Sequence, residues 1–474
     1  MFLLVLRQSC KKAVTYCKLN RLQQQITCSF SSSSSVEDAD IVISGGGMVG
    51  GAMACALAHN DLFSKKKIIM LESSPDRDAF HLQEKFSNRT CALSPATVTL
   101  LDGLGVWNEI LQLRCHPVKR MQVWESCSES LITFNNEELT NSLAYIVEND
   151  VILAAIMKRL KAANVVDIRY NSQAKSFVIP TRGDSSSKRN SWVGLELANG
   201  DVLQTKLLIG ADGMQSAVRR ASKFHTLERD YKQSAVVATL KLSEMTDNTV
   251  AWQRFLPTGP IALLPLSDSV SSLIWTTSHE NAKHLQSIPE DSFVDAVNDA
   301  LWHERDQNQA INQALLTFSR AVQNVIPGGG SAKQLPPTVV GIETGSRAAF
   351  PLKLIHSSQY VRPRVALIGD AAHRLHPLAG QGVNLGFGDV VCLNKVLTAA
   401  AKNGSDPDCE RGFSAVKRIK TRLRNRLSDK VLNALMFVAI EGPEKLSEKQ
   451  LQEVARLWRN IANRQLTLTL PAKA

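Results

Sequence analysis

The 474-residue sequence predicts a mixed α/β chain, α+β in its middle: a Rossmann-like nucleotide-binding sheet, an inserted β-sheet domain and C-terminal helices. Three observations carry this. Short strand-like runs at Asp40–Ser44, Leu207–Ile209 and Val365–Ile368 each end in a glycine-containing turn and lead into a helical pattern. Between the second and the third, from Gln233 to Trp275, β-like runs punctuated by proline and glycine take over. From Asp406 onward the pattern is basic and helical. Strands alternating with helices build parallel sheets, and an all-apolar run fits a strand buried on both faces.

The first 35 residues stand apart. They carry Arg7, Lys11, Lys12, Lys18 and Arg21, end in the serine run Ser31–Ser35, and contain no acid before Glu37. This is the composition of a mitochondrial transit peptide; a secretory signal is the rival, but the apolar piece Phe2–Leu6 is short for one. The whole chain is 44% hydrophobic, enough for two domains or one intertwined unit. Nine scattered cysteines without a Cys-x-x-Cys pair argue against a disulfide framework, a zinc site or a redox dithiol, so no metal is expected. No apolar run reaches the ~18 residues of a membrane span, so a soluble or peripheral protein is expected. The formal charge of +11 owes part of its size to the presequence, and no nucleic-acid partner is expected.

The folded chain begins near Asp38. Gly45, Gly47 and Gly50 fit G-x-G-x-x-G directly after a strand and before the small-residue helix Ala52–His59. A second strand, Ile68–Leu71, ends at Glu72, about 22 positions after Gly50, where the dinucleotide fold places its ribose-binding acid. Such glycines turn the chain, admit a pyrophosphate and let helix meet strand. Phe86–Arg89, Ala92–Ser94 and Leu104–Trp107 follow; Trp107 reads as core. Asn149 marks a helix start. Lys206–Gly213 is a strand broken by Gly-Ala-Asp-Gly, with Ser216, Val218 and Arg219 on the next helix; Asp212 there is either a ligand-loop buttress or a helix cap. The triplet in Pro327–Gly330 lacks a strand before and a helix after, so it is a decoy. The stretch the chain is organised around comes last: Val365–Ile368, then Gly369-Asp370-Ala371-Ala372-His373, Pro377, Gly380-Gln381-Gly382, Asn384, Gly386 and Asp389. It offers a carboxylate at a strand end and a glycine-rich helix start whose N–H groups favour negative charge.

These residues resemble the FAD-dependent aromatic hydroxylases. The Gly369–His373 run, Gly-Ala-Asp-Gly213, Arg89 with Ala92-Leu-Ser94 and Leu104–Trp107, and Phe255-Leu-Pro257 with Gly259-Pro260 and Leu264-Pro265 are similar to the ubiquinone-biosynthesis hydroxylase branch. The resemblance runs from about Ala39 to Asp389. It implies that Gly45, Gly47, Gly50, Glu72, Asp212, Gly213, Gly369, Asp370, Pro377, Gly380 and Gly382 bind FAD. Arg89 would lie near the flavin and its phosphates, or else on the surface. It implies a flavin C4a-hydroperoxide that oxygenates a polyprenylated hydroxybenzoate or phenol with O₂, at ring C5 and in part C1. Phe255 and Leu263 would wall an apolar substrate channel. His373 and His376 invite a base assignment; His373 reads as structural and no base is assigned. Electrons would come from a ferredoxin and its reductase or from NAD(P)H, although no second dinucleotide motif is present. Other ubiquinone-biosynthesis proteins in a complex and a membrane surface complete the expected partners, at the matrix side of the mitochondrial inner membrane.

The expected domains are a transit peptide at 1–35, FAD-binding parts at 38–115, 149–230 and 348–400, substrate parts at 116–148 and 231–347, and a helical region at 401–474. In the last, Leu451, Val454, Ala455, Trp458, Ile461 and Ala462 form one apolar helical face that packs on its own domain or meets a membrane. Two rivals share the fold evidence: an FAD oxidoreductase on isoprenoids, such as an epoxidase or prenyl reductase, and a non-catalytic FAD-fold scaffold in a quinone-biosynthesis assembly.

Overall fold

The computed structural model describes residues 36–76, 84–126, 131–135, 142–180, 192–243, 247–303, 335–376, 381–404 and 466–469. An eight-stranded sheet comes first. Its core is parallel: β1 (Glu37–Ser44) lies between β2 (Ile68–Leu71) and β11 (Val202–Gly210), with β8 (Val166–Arg169) beyond β2 and β19 (Val365–Leu367) beyond β11. β18 (Val361–Arg362), β9 (Ala174–Val178) and β10 (Val193–Leu197) add antiparallel pairings. The β1 run Ile41-Val42-Ile43 explains the layering. Alternate side chains take opposite faces, and all three are buried. Ile41 and Ile43 pack with α1 (Met48–Ala58), α4 (Asn149–Ala163) and α8 (Gln381–Lys402) through Met53, Leu57, Ile152, Ile156, Phe387 and Leu393. Val42 faces Val193, Leu195 and Phe224 on the other side. Each large aliphatic side chain buried this way contributes roughly 1.5–3 kcal/mol.

The second sheet has ten strands. From one edge these are β20 (His373–Arg374), β17 (Ala348–Ser357), β12 (Thr226–Leu242), β15 (Val270–Ser278), β14 (Gly259–Ser267), β13 (Val250–Leu256), β5 (Arg120–Glu125), β6 (Leu131–Asn135) and β21 (Leu466–Thr469); β16 (Val339–Ile342) also pairs with β12. The helices α6 (His279–Ser287) and α7 (Glu290–Trp302) cover one face, where Phe293, Val297 and Leu301 meet Val236, Ala238, Leu240 and Leu273. A three-stranded antiparallel sheet, β3 (Thr90–Leu93), β7 (Ala144–Glu148) and β4 (His116–Val118), joins the two. Leu93 and Val147 enter the first sheet's core, while Val118 and Ile146 cluster with Ala251 and Leu266 of the second. α2 (Pro95–Gly103), α3 (Trp107–Leu113) and α5 (Ala217–Ala221) complete the described helices.

Two expectations change. The second sheet uses more of the chain than 116–148 and 231–347: β12 begins at Thr226, and β17 pairs along it although it lies past 347. A 17-residue strand does not stop where motif texture changes, because its ladder partners decide its length. The 401–474 region is not helical throughout, since Leu466–Thr469 extends the sheet edge beside β6. Its apolar–threonine alternation is strand-like. The helix begins at Asn149, where the sequence places its start, with Glu148 as N-cap and no side-chain cap bond. The presequence, the glycine triplet at 328–330 and the apolar face at 451–462 lie outside the described residues. Among those described, no helix is long and apolar enough to cross a membrane.

Candidate functional site

The site forms where the three strand–turn–helix segments meet. At Gly45 the backbone takes φ +107°, and an added Cβ would lie 2.5 Å from the Ala211 carbonyl oxygen. A Cβ on Gly50 would overlap the Gly45 carbonyl oxygen. These two glycines press the start of α1 onto the turn after β11. Gly47 differs: it is the N-cap of α1, at φ −66°, and nothing lies within 4 Å of where its Cβ would be. The first turn of α1 therefore opens onto empty space with backbone N–H groups unspent. Glu72 closes one side. Its Oε2 accepts from the Gly46 N–H at 2.8 Å and its Oε1 from the Ser74 N–H at 2.7 Å. Two backbone donors thus aim the carboxylate, leaving lone pairs for hydroxyl groups.

Asp212 is a cap and more. Oδ2 accepts from the N–H groups of Ala217 (2.7 Å) and Val218 (3.1 Å), while Oδ1 is buried with no partner among the described residues. Gly213 follows at φ +74°. Ser216 caps α5 by accepting from the Arg219 N–H at 2.9 Å. The buried Arg219 guanidinium then donates to the Ala371 carbonyl at 2.8 Å and the Met214 carbonyl at 2.6 Å, bolting this turn to the Gly369–Ala371 turn. Burial holds its pKa below the ordinary arginine value.

Gly369–Ala371 is a single 3-10 turn after β19. The Gly369 N–H (2.9 Å) and His373 Nε2 (2.7 Å) both meet Asp389 Oδ2, so His373 is structural, as its sequence position indicates. Gly369 and Gly386 both lie against Val49 of α1, which brings the third segment onto the first. Asp370 is solvent-accessible yet crowded by protein. Crowding raises its carboxyl pKa, and Arg374 and His373 pull it back down. Gly382 sits in the first turn of α8 with nothing among the described residues within 4 Å of its Cβ position. Pro377 and Gly380 lie outside the described residues. Burial pushes His376 down to about 4, so its imidazole, edge-on to Tyr231 at 4.9 Å, is neutral near pH 7.

The structure gives partners to residues that the sequence marks only as part of a motif or as a helix start. Asn384 Oδ1 accepts from the Ser94 N–H (3.0 Å) and Thr97 Oγ1 (2.8 Å), and its Nδ2 donates to the Ala92 carbonyl (2.8 Å), tying α8 to the β3–α2 corner. Asn149 accepts the Cys91 thiol hydrogen at 2.7 Å. Burial, with the charge of Asp370 adding, pushes that thiol up to about 12. Glu148 is buried and paired with Arg114 through two bonds of 2.6 and 3.0 Å. The Arg114–Glu148 pairing is not legible in the sequence, because its partners lie 34 positions apart. Arg89 is exposed, with no side-chain partner among the described residues.

The two residues expected to wall a substrate channel part company. Leu263 is fully buried and belongs to the core under α6 and α7, so it faces away from the first sheet. This corrects its assignment. Phe255 alternates with Arg254 and Leu256, both buried; Arg254 donates to the Ala300 and His303 carbonyls and Leu256 joins the same core. Strand alternation therefore puts Phe255 on the opposite face, together with Ala251 and Leu264, which cluster with Val118 and Ile146. That face looks toward the three-stranded sheet.

A family model described as FAD binding domain matches residues 38–323 and 334–409. The chain is 52% identical over 377 residues to the ubiquinone biosynthesis monooxygenase COQ6, mitochondrial, of Danio rerio, covering 79% of this chain and 78% of that protein. The Homo sapiens protein of the same name is 52% identical over 371 residues (77% and 78% covered), and the Drosophila melanogaster one 42% over 375 (78% and 77%). Among solved structures, P. aeruginosa PqsL, in complex with 2-aminobenzoylacetate, superposes with a TM-score of 0.64 at 17% identity, covering 89% of this chain and all of that one. The tetrameric 2-methyl-3-hydroxypyridine-5-carboxylic acid oxygenase gives 0.58 at 18%, covering 90% and 98%. These two share the fold. The chain belongs to the FAD-binding-domain family and, within it, to the ubiquinone biosynthesis monooxygenases.

Proposed function

We propose that this mitochondrial protein is an FAD-dependent monooxygenase acting in ubiquinone biosynthesis. It uses O₂ to hydroxylate the aromatic ring of a polyprenylated hydroxybenzoate or phenol, at C5 and with C1 as a second position. One observation carries the reading: Gly45, Asp212 and Gly369, each from a different strand–turn–helix segment, come together around the open first turn of α1. The residues fit FAD on their own terms. The open space at Gly47 and Gly382 leaves room for the cofactor, and the unspent Asp212 Oδ1 leaves acceptor capacity beside it.

On this reading Gly45, Gly47 and Gly50 admit the pyrophosphate and Glu72 takes the adenosine ribose hydroxyls. Asp212 and Gly213 buttress the pyrophosphate turn. Gly369 and Asp370 hold the ribityl end, Pro377, Gly380 and Gly382 line the pyrimidine end, and Arg89 neutralises phosphate. When bound, FAD supplies the redox chemistry and delivery of one oxygen atom from O₂. The chain's part is to bind, orient and keep water out. Phe255 and Leu264 offer an apolar wall for the prenylated ring. A ferredoxin with its reductase, or NAD(P)H, supplies electrons. The protein sits peripherally on the matrix face of the inner membrane, held by basic side chains, and joins other ubiquinone-biosynthesis proteins.

Purified protein should be yellow, consume O₂ with a reductant, and convert a short-tailed prenyl-phenol to a product with one more ring oxygen. A colourless, FAD-indifferent protein would overturn the reading; an epoxidised alkene would favour an isoprenoid oxidoreductase. Cells lacking the chain should accumulate an intermediate missing one ring hydroxyl. High-salt or carbonate washing should release the protein from membranes, and retention would contradict peripheral attachment.

A further inference from the structure

The segment from Lys85 to Thr90 is bonded on two sides. On the cofactor side, Glu148 Oε1 accepts from the Ser87 N–H at 2.6 Å, and the Glu148 carboxylate is held by Arg114. The Arg114 guanidinium also donates to the carbonyls of Glu84 (3.2 Å) and Lys85 (3.4 Å) and lies over the Phe86 ring at 4.1 Å. On the substrate-sheet side, the Asn88 amide donates to the Ser346 carbonyl, Thr239 Oγ1 to the Phe86 carbonyl at 3.4 Å, and Thr90 Oγ1 meets Ser272 Oγ at 3.0 Å. Lys85 pairs with Glu343 at 2.9 Å. A short irregular segment with bonds to two different sheets has little freedom left.

What this strap carries is Arg89. Its carbonyl accepts from the Asn149 N–H at 2.9 Å, which fixes its backbone. Its side chain is exposed and has no partner among the described residues, unlike Arg114, Arg219 and Arg169, which are bonded to protein. Thr90, the first residue of β3, meets Ser272 of the second sheet, whereas Cys91 bonds to Asn149 and packs against the first sheet's core. Successive residues along a strand alternate sides, so at the entry to β3 Arg89 falls on the side of Cys91, toward the first sheet.

We infer that Arg114 and Glu148 are positioning residues that act through the 85–90 strap to present the Arg89 guanidinium to the phosphates of the dinucleotide. The inference rests on the FAD reading above and extends it to residues that never touch the cofactor. A carboxylate–guanidinium pair with two parallel bonds fixes orientation as well as distance, which a single bond does not.

The test is FAD affinity, with its dependence on salt, measured on enzyme stripped of flavin and reconstituted. Arg89→Ala should weaken FAD binding about tenfold and flatten the salt dependence, because a phosphate-neutralising charge is gone. Arg114→Gln should reproduce both effects, and the Arg89→Ala/Arg114→Gln double variant should be no weaker than Arg89→Ala alone. Arg114→Lys should recover part of the loss. Because Arg114→Gln strands a buried carboxylate, Arg114→Gln/Glu148→Gln provides a second route that keeps a hydrogen-bonded pair without buried charge. Asn88→Ser loosens the opposite side of the strap and should shift affinity in the same direction. Additive losses in the double variant, or weakened binding with an unchanged salt slope, would mean that Arg114 merely supports the fold. Unchanged affinity and slope in Arg89→Ala would overturn the inference while leaving the FAD reading intact. Wild-type protein that takes up no FAD at all would sink both.

Discussion

At the scale of single residues, one glycine motif contains two different physical demands. Gly50 is a packing glycine, since any side chain there meets the Gly45 carbonyl. Gly47 is a clearance glycine whose missing side chain leaves open space and whose φ of −66° suits any residue. Gly50→Val should therefore lower apo-protein stability by about 3 kcal/mol or more. Gly47→Val should leave the apo melting temperature within a few degrees and abolish flavin retention. Thermal scans paired with the flavin-to-protein absorbance ratio separate the two, and equal melting losses in both variants would contradict the distinction. Glu37 provides a residue-scale pH test. Arg169 at 2.7 Å, helped by Lys67 at 2.7 Å, holds its carboxyl down to about 2 against the opposing effect of burial. A depressed carboxylate pKa stabilises the fold above the ordinary value near 4.5, and the gain is lost as pH falls toward 2. The stability gap between wild type and Glu37→Gln should be full at pH 7, shrink below pH 4.5, and narrow in high salt because the group is partly exposed. A gap independent of pH would rule this out.

At the scale of elements, alternation decides what a side chain sees. Leu263 and Leu264 are neighbours of equal hydrophobicity on β14, yet one is sealed under α6 and α7 and the other joins the face toward the three-stranded sheet. A one-residue step along a strand reverses the face. Leu263→Trp should overpack a closed core and lower stability by about 1–3 kcal/mol with little change in substrate preference. Leu264→Trp should keep the melting temperature and raise KM for a long-tailed prenyl-phenol more than for a short-tailed one. Equal effects on both tails would mean that Leu264 does not face the substrate. Helix α8 shows the same dependence on context. Its first turn carries Asn384, whose three bonds to the β3–α2 corner replace the usual apolar contact. Asn384→Leu should leave the Ser94 N–H and the Ala92 carbonyl unpaired, cost about 1–3 kcal/mol, and loosen flavin binding. A melting temperature and flavin content equal to wild type would show those bonds to be dispensable.

At the scale of the whole molecule, two sheets from interleaved chain segments share a small three-stranded sheet. The first sheet draws strands from residues 37 to 210 and again at 361–367, with β1 beside β11 and β11 beside β19. The second draws strands from residues 120 to 374 and again at 466–469. Deleting residues 1–35 should leave both sheets intact, since β1 begins at Glu37, and should give a folded, flavin-loaded protein that fails to enter mitochondria. Import of the truncated protein would place the address elsewhere.

The sequence by itself determined the nucleotide-binding half. Gly45 to Glu72, Lys206 to Arg219 and Val365 to Asp389 are local motifs, in which turn chemistry, strand run and helix start lie within a few residues of one another. Backbone sterics and apolar patterning act at that range, so the turns that carry Gly47, Asp212 and Asp370 could be read before any contact was known. Tertiary structure alone decided what depends on distant partners. It set the length of β12, the edge strand at Leu466–Thr469, the face of Leu263 and the Arg114–Glu148 clamp. Strand register and buried ion pairs are settled by residues tens to hundreds of positions away. A pattern of alternating leucines says that two faces exist, and only the packed neighbours say which of them is closed.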